Sequence, residues 1–243
     1  MVNKAVILVI FLWPSLSHAA CRHALSLGLD VSSSVDAVEY ALQLDGVIAA
    51  LTSERVQDIL FAQPDAPIRL HVFEWSGPVN QTVIVPWTTL ENPTALAQVT
   101  TFLRGHQRGV EAPTTSIGDA ILSGYEYLEQ QPDCWSRTLD LSGDGETNLG
   151  ILPEDIGDDQ RPADVIVNGL VIESDQLRGD DNPRAALQAL SQYYLTKVIR
   201  GPGAFVEIAH GYEDYAAAME RKLIRELSAK VIGQSMPTQG DNG

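Results

Sequence analysis

An apolar run that ends in an acidic, hydroxyl-rich turn constrains the fold more than any other part of this chain. Residues 24–29 are apolar apart from Ser26 and Gly28, which is typical of a strand buried on both faces of a parallel sheet. Residues 35–51 then place their apolar side chains at helical spacing. Asp30–Ser34 is therefore predicted to be a strand-to-helix turn, and in open α/β sheets ligands bind beside such turns.

Further strands alternate with helices along the rest of the chain. The predicted strands are Ile68–Trp75, Val79–Trp87, Arg137–Ser142, Asp164–Ile172 and Phe205–Ala209. Only Ser76, Gly77 and Pro78 separate the first two of these, so we expect a hairpin whose second strand is antiparallel and at an edge. The pattern predicts one doubly wound α/β domain with a mostly parallel central sheet, one antiparallel edge strand and helices on both faces.

Length and composition agree with a single domain. The chain has 243 residues, of which 44% are hydrophobic and 20% charged, so it can bury a full-sized core without help from a metal. Its formal net charge is −16. Such an acidic protein repels phosphate backbones, so we expect no nucleic acid partner and a preference for cationic ligands.

The N-terminal residues have the features of an export signal. Residues 1–20 combine Lys4, an apolar core and small residues before a cleavage point after Ala19 or Ala20, which predicts a signal peptide. An uncleaved membrane anchor and a lipoprotein with lipidated Cys21 are weaker alternatives. No later stretch is long and apolar enough for stable membrane insertion. We therefore expect a secreted or periplasmic domain over residues 21–232, followed by a disordered tail over residues 233–243.

The two cysteines of the chain are predicted to form a disulfide. Cys21 lies nine residues before Asp30, and Cys134 lies ten residues before Asp144. If both segments are neighbouring parallel strands that end at those aspartates, the cysteines lie side by side at the opposite edge of the sheet. An exported protein meets an oxidising compartment, in which such a bond persists.

Three strand-end loops supply a set of oxygen atoms that fits a metal ion. The candidate ligands are Asp30, Ser32, Ser34, Thr115 and Asp144. Because the set contains no nitrogen or sulfur, it suits Mg²⁺, Mn²⁺ or Ca²⁺ better than zinc or copper. With only two carboxylates, a bound cation would keep enough positive charge to attract an acidic group from outside.

Simpler roles remain open for the same hydroxyl groups. Ser32 and Ser34 stand where a helix begins, and serine is a common N-cap. Thr114 and Thr115 precede the helix predicted from Gly118, so one of them is expected to be its cap. A tight turn without a ligand would also explain Asp144 and its neighbouring glycines.

The order and spacing of these motifs resemble a known family. Asp30-x-Ser32-x-Ser34, then Thr115 with Gly118, Ala120 and Ile121, and finally Asp144-Gly145 resemble the von Willebrand factor type A domain and its metal ion-dependent adhesion site. The segments Phe73–Ser76, Ser142–Gly145, Val167–Ile172 and Gly201–Val206 look like a secreted bacterial branch described only as a domain of unknown function.

The resemblance implies a role for each ligand. Ser32, Ser34 and Thr115 would contact the metal, and Asp30 and Asp144 would bind it directly or through water. One coordination position would remain for a Glu or Asp carboxylate of a protein partner. The first hypothesis is therefore a metal-dependent protein-binding module and not an enzyme.

Two other functions remain open. A metal-assisted phosphohydrolase would use the same oxygen ligands, and His106 is the only histidine we would test as its general base. A structural domain that keeps the motif without binding metal is the third reading.

Overall fold

The computed structural model describes residues 21–109 and 112–228. The predicted signal peptide, the predicted tail and the predicted end of the domain at residue 232 lie outside these ranges. None of the helices within these ranges is long and apolar enough to cross a membrane.

Six strands form one sheet at the centre of the domain. They are β1 (His23–Asp30), β2 (Ile68–Trp75), β3 (Gln81–Leu90), β4 (Arg137–Gly143), β5 (Val165–Ile172) and β6 (Val206–Ala209). Their order across the sheet is β3-β2-β1-β4-β5-β6, and only β3 is antiparallel to its neighbour. β3 is partly exposed and contains Pro86, which an edge strand tolerates. The predicted hairpin, edge strand and mostly parallel sheet are confirmed.

Within the described ranges, seven α-helices surround the sheet. They are α1 (Ala37–Thr52), α2 (Glu54–Leu60), α3 (Pro93–Gly105), α4 (Ile117–Glu129), α5 (Asp175–Arg178), α6 (Pro183–Tyr193) and α7 (Tyr215–Ser228). Side chains of α1, α2, α3 and α7 form one apolar core against the sheet, and side chains of α4 and α6 form a second core. The domain is therefore doubly wound, as the sequence predicts.

The register between β1 and β4 fixes what lies at each end of the sheet. Leu29 pairs with Ser142, so Asp30 and Asp144 follow almost side by side where both strands end. At the opposite end Cys21 and Cys134 form a parallel bridge, and their sulfur atoms are joined in a disulfide at 2.03 Å. The disulfide predicted from the strand register is therefore present in the structure.

The strand order creates a switch point at a defined place in the sheet. From β1 the chain continues to β2 and β3 on one side, and it later returns to β4 on the other side of β1. The order of strands thus reverses between β1 and β4. In open α/β sheets, ligands bind at such a switch point, beyond the carboxyl ends of the strands.

Candidate functional site

The first loop and the third loop are joined by a chain of hydrogen bonds. Asp30 accepts the backbone N–H of Ser32 at Oδ1 over 2.8 Å. The Ser32 hydroxyl lies 3.0 Å from the Ser34 hydroxyl, which donates to Oδ1 of Asp144 over 2.8 Å. Two adjacent strands end here, so residues about a hundred positions apart in sequence come together at the switch point.

A different residue caps the helix that follows the first loop. Asp36 accepts the backbone N–H groups of Val38 and Glu39 over 2.7 and 2.9 Å, and the Glu39 carboxylate accepts the N–H of Asp36. This is a complete capping box at the start of α1. The capping role considered for Ser32 and Ser34 is therefore wrong, and both hydroxyls face each other at the crevice.

The second loop is held against the third loop by backbone contacts. Thr115 is buried, its N–H donates to the Asn148 side chain over 2.9 Å, and its carbonyl accepts the Asn148 N–H over 3.0 Å. A side chain at Gly118 would collide with the Ile151 carbonyl, so glycine allows this close approach. Thr115 is thereby fixed to the loop that carries Asp144.

The expected threonine cap of α4 is also replaced. Ser116 precedes the helix and donates its hydroxyl to Asp119, while the N–H of Ile117 donates to the Thr147 hydroxyl over 3.2 Å. The sequence motifs assign no role to Thr147 or Asn148. Their position a few residues after Asp144 was the only signal for one.

Part of the loop after α3 lies along the first loop. The Arg108 guanidinium donates to the carbonyls of Val31 and Ser32 over 3.0 and 3.1 Å, and Ser33 donates its N–H to the Ala112 carbonyl. No sequence motif identified Arg108 as the anchor of this loop.

His106, the histidine proposed for testing as a general base, is engaged elsewhere. Its Nε2 lies 3.1 Å from Oε1 of Glu74, a buried carboxylate that also accepts the Gly109 N–H and the Tyr40 hydroxyl. The structure assigns His106 to this cluster, which holds the loop after α3 in place. It gives no support for a general base.

The two carboxyl groups of the site are buried, and no described side chain supplies a counter-charge for them. Asp30 is 0% exposed and Asp144 is 5% exposed, and Oδ2 of each has no hydrogen-bond partner among residues 21–109 and 112–228. Burial, and then the nearby charge of Asp144, raise the pKa of Asp30 to about 8. Burial likewise raises the pKa of Asp144.

The donor set fits a hard cation. All donors are carboxylate or hydroxyl oxygens, which Mg²⁺ and Ca²⁺ prefer. The described part of the chain holds no group of three or more His, Cys, Asp or Glu residues suited to a metal. A site built from two carboxylates and several hydroxyls does not require such a group, and the role of the five residues as ligands stays a prediction.

Solved structures of known proteins share this fold. Proximal thread matrix protein 1 from the mussel byssus matches with a TM-score of 0.59 and 14% identity, over 86% of this chain and 49% of that chain. The pilus adhesin SpaC from Lactobacillus rhamnosus GG matches with a TM-score of 0.61 and 12% identity, over 87% of this chain and 31% of that one. This chain thus spans about half of the mussel chain and about a third of the adhesin.

A third match carries the family name of the fold. A von Willebrand factor type A protein from Catenulispora acidiphila matches with a TM-score of 0.55 and 12% identity, over 85% of this chain and 43% of that chain. Another structure of the mussel protein has a metal ion-dependent adhesion site occupied by zinc. These likenesses show that the domain has the von Willebrand factor type A fold, as the sequence motifs predict.

The sequence itself matches one family of proteins. No curated protein sequence matches the chain. The profile of the family described as "Protein of unknown function (DUF1194)" matches residues 20–231, which is most of the chain. The chain therefore belongs to the DUF1194 family, and its fold is that of a von Willebrand factor type A domain.

Proposed function

We propose that this domain binds a divalent cation at the switch point and uses it to hold an acidic group of a protein partner. The proposed ligands are Asp30, Ser32, Ser34, Thr115 and Asp144. One observation carries the proposal: two buried carboxyl groups have no hydrogen-bond partner at Oδ2 among the described residues. Asp30 accepts the Ser32 N–H, and the Ser32 and Ser34 hydroxyls lead from there to Asp144.

The physical chemistry favours a cation at this position. Two buried negative charges close together are costly, and without a counter-charge at least one of the carboxyls must be protonated. A divalent cation removes that cost, and oxygen ligands favour Mg²⁺, Mn²⁺ or Ca²⁺. Two carboxylates and neutral hydroxyls leave the cation electrophilic, so it attracts a Glu or Asp carboxylate of the partner.

Proteins of the same fold support this proposal. The mussel protein has a metal ion-dependent adhesion site that can hold zinc, and the Lactobacillus protein is a pilus adhesin. We carry over from them only the coarse role of an interaction module. The disulfide and the predicted signal peptide support a secreted or periplasmic location.

Calorimetry of Mg²⁺, Mn²⁺ and Ca²⁺ into the mature protein tests the metal. We expect the wild type to bind at least one of these ions. Ser34→Ala should weaken that affinity by about tenfold or more, because it removes both a ligand and the link to Asp144. Ser33→Ala is the matched control, since Ser33 is exposed one residue away and should leave affinity unchanged. A wild type that binds none of the three ions would support the structural reading without metal.

The capture of a carboxylate needs a second measurement. Water proton relaxation of the Mn²⁺-loaded protein reports the water molecules on the ion. Addition of acetyl-Gly-Asp-Gly-amide should lower the relaxation rate as its carboxylate displaces a water. The same peptide with Asn in place of Asp should have no effect. Equal responses to both peptides would contradict the proposed mode of partner binding.

A further inference from the structure

Three buried polar side chains surround Gly143, the last residue of β4. A methyl group placed on Gly143 would collide with the Tyr194 hydroxyl and would lie 3.1 Å from Oδ2 of Asp30 and 3.3 Å from Cζ2 of Trp75. Cζ2 is two bonds from Nε1 on the same edge of the indole ring. A phenol, a carboxylate and an indole edge therefore lie close together beside Gly143.

All three groups lack a partner within the described residues. Oδ2 of Asp30, the Tyr194 hydroxyl and Nε1 of Trp75 are buried and make no hydrogen bond there. The three side chains are each 0% exposed. Unpaired buried polar groups are rare in native proteins and costly, so three of them around one point require a common explanation.

The chemistry of the three groups is complementary. The phenol O–H and the indole N–H are donors, whereas a carboxylate oxygen is an acceptor. A single water molecule accepts two hydrogen bonds and donates one here, and buried waters typically make about three such bonds. Burial, and then the charges of Asp30 and Asp144, raise the pKa of Tyr194 well above its usual range, so the phenol keeps its proton.

We propose that a buried water over Gly143 links the Tyr194 hydroxyl and the Trp75 indole to Oδ2 of Asp30, and that Tyr194 thereby positions Asp30 for the cation. The positioning of Asp30 for a cation rests on the proposed function, whereas the buried water does not. Asp30 is then held at both oxygens, by the Ser32 N–H at Oδ1 and by the water at Oδ2. A carboxylate fixed in this way cannot rotate away from the metal.

The backbone is arranged to bring the Tyr194 ring to this place. Tyr194 begins a π-helical turn, Tyr194–Val198, directly after α6, and such turns are frequent at functional sites. Its ring also packs on Gly169 of β5, where an added methyl group would lie 2.7 Å from the ring carbon Cδ1. Two glycines on neighbouring strands thus make room for the ring beneath the site.

A high-resolution crystal structure of the metal-free mature protein, grown above pH 8 so that Asp30 is ionised, tests the water. We expect density for one water within about 3.2 Å of the Tyr194 hydroxyl, of Nε1 of Trp75 and of Oδ2 of Asp30. Density for no atom at that point would overturn the proposal. This measurement requires neither a variant nor a bound metal.

Calorimetry with Mg²⁺ tests the positioning role of Tyr194. Tyr194→Phe removes only the hydroxyl, and we expect it to weaken Mg²⁺ affinity by roughly fivefold to tenfold. The control is Tyr215→Phe, because Tyr215 is equally buried but its hydroxyl lies 2.8 Å from that of Ser142. The control should lower the melting temperature and leave Mg²⁺ affinity unchanged.

The outcomes separate this inference from the proposed function. Wild-type affinity in Tyr194→Phe, or an equal loss of affinity in Tyr215→Phe, would overturn the positioning role. If the wild type itself does not bind Mg²⁺, Mn²⁺ or Ca²⁺, the proposed function fails, and the positioning role fails with it. In that case the electron density alone still tests whether the buried water is present.

Discussion

At the scale of single residues, the properties of the site depend on which carboxyl groups are buried without a counter-charge. Asp30 and Asp144 are buried close together and share only neutral hydroxyls, while the exposed Asp36 is fully used as a helix cap. Aspartate side chains of the same chemistry therefore have different roles, because Asp30 and Asp144 are buried whereas Asp36 is exposed at the start of a helix. The raised pKa of Asp30 makes this difference measurable.

The effect of Mg²⁺ on stability should depend on pH through Asp30. The folded-state pKa of Asp30 is about 8, above its ordinary value near 4, so the native state holds the proton more tightly. The stability that this proton gives to the metal-free protein is lost as pH rises toward 8. Mg²⁺ replaces the proton, so it should raise the melting temperature by ~5 °C more at pH 8 than at pH 5.

Thermal unfolding with and without MgCl₂ at each pH measures this difference. Because the samples with and without MgCl₂ are compared at the same pH, the contributions of other titrating groups to the melting temperature cancel. One such group is His71, whose pKa is lowered by burial to about 4. Asp30→Asn should abolish the response to Mg²⁺ at both pH values. An equal Mg²⁺ shift at pH 5 and pH 8 in the wild type would show that Asp30 does not exchange its proton for the ion.

At the scale of secondary structure elements, α7 is attached to the sheet by a buried ion cluster as well as by apolar packing. Lys222 is 0% exposed, and its ammonium lies 2.8 Å from Asp140 of β4 and 2.7 Å from Glu226. Asn168 of β5 donates its amide to Glu226 and accepts the N–H of Phe205. This cluster ties the last helix to two central strands.

Removal of the ammonium group should strongly destabilise the domain. Lys222→Met keeps the length of the side chain but leaves two buried carboxylates without a cation, which is expected to cost about 3–5 kcal/mol of unfolding free energy. Arg55→Ala is the control, because Arg55 pairs with Glu220 of the same helix at 3.7 Å on the surface and should cost below about 1 kcal/mol. Urea denaturation measures the unfolding free energy of both variants. Similar losses of unfolding free energy in the two would refute a stabilising role for the cluster.

At the scale of the whole molecule, the sheet separates a covalent link from the candidate site. The disulfide joins β1 and β4 before they begin, and the aspartates lie where the same strands end. Eight residues of β1 span about 26 Å, so the two features are distant. The strands β1 and β4 therefore position the candidate site at one end and are joined by the disulfide at the other.

The disulfide should contribute to stability without affecting metal binding. It closes a loop with a sequence separation of 113, which predicts about 4–5 kcal/mol from the lost entropy of the unfolded chain. The double variant Cys21→Ser, Cys134→Ser should therefore melt ~10 °C or more below the wild type. Calorimetry should find its Mg²⁺ affinity unchanged below the melting transition. A loss of affinity there would mean that the two ends of the sheet are coupled.

Much of the fold could be predicted because its signals are local. The period of the apolar residues identified the strands, and Ile68–Trp75 was predicted at its observed bounds. The short link before β3 identified the antiparallel edge. The caps were predicted wrongly, because several polar residues precede each helix and only the backbone conformation selects Asp36 or the distant Thr147.

In the candidate site too, some residues could be identified from local sequence and others could not. Four of its five proposed ligands stand in readable motifs at strand ends, and Thr115 stands in one just before α4, so sequence was enough to nominate them. Arg108, Asn148 and Tyr194 carry no such motif, since each acts on residues that are far away along the chain. The role of Lys222 also depends on the tertiary structure, because its carboxylate partner on β4 cannot be inferred from the helix.

The sequence by itself determined the fold class, the pairing of Cys21 with Cys134 and the edge of the sheet at which Asp30 and Asp144 lie. Periodicity and strand-end chemistry are properties of short segments, so they can be read without coordinates. Only the tertiary structure decided that Asp30 and Asp144 are buried without a counter-charge and that Tyr194 lies beneath them. Burial and charge compensation depend on contacts between distant segments, and these exist only once the chain has folded.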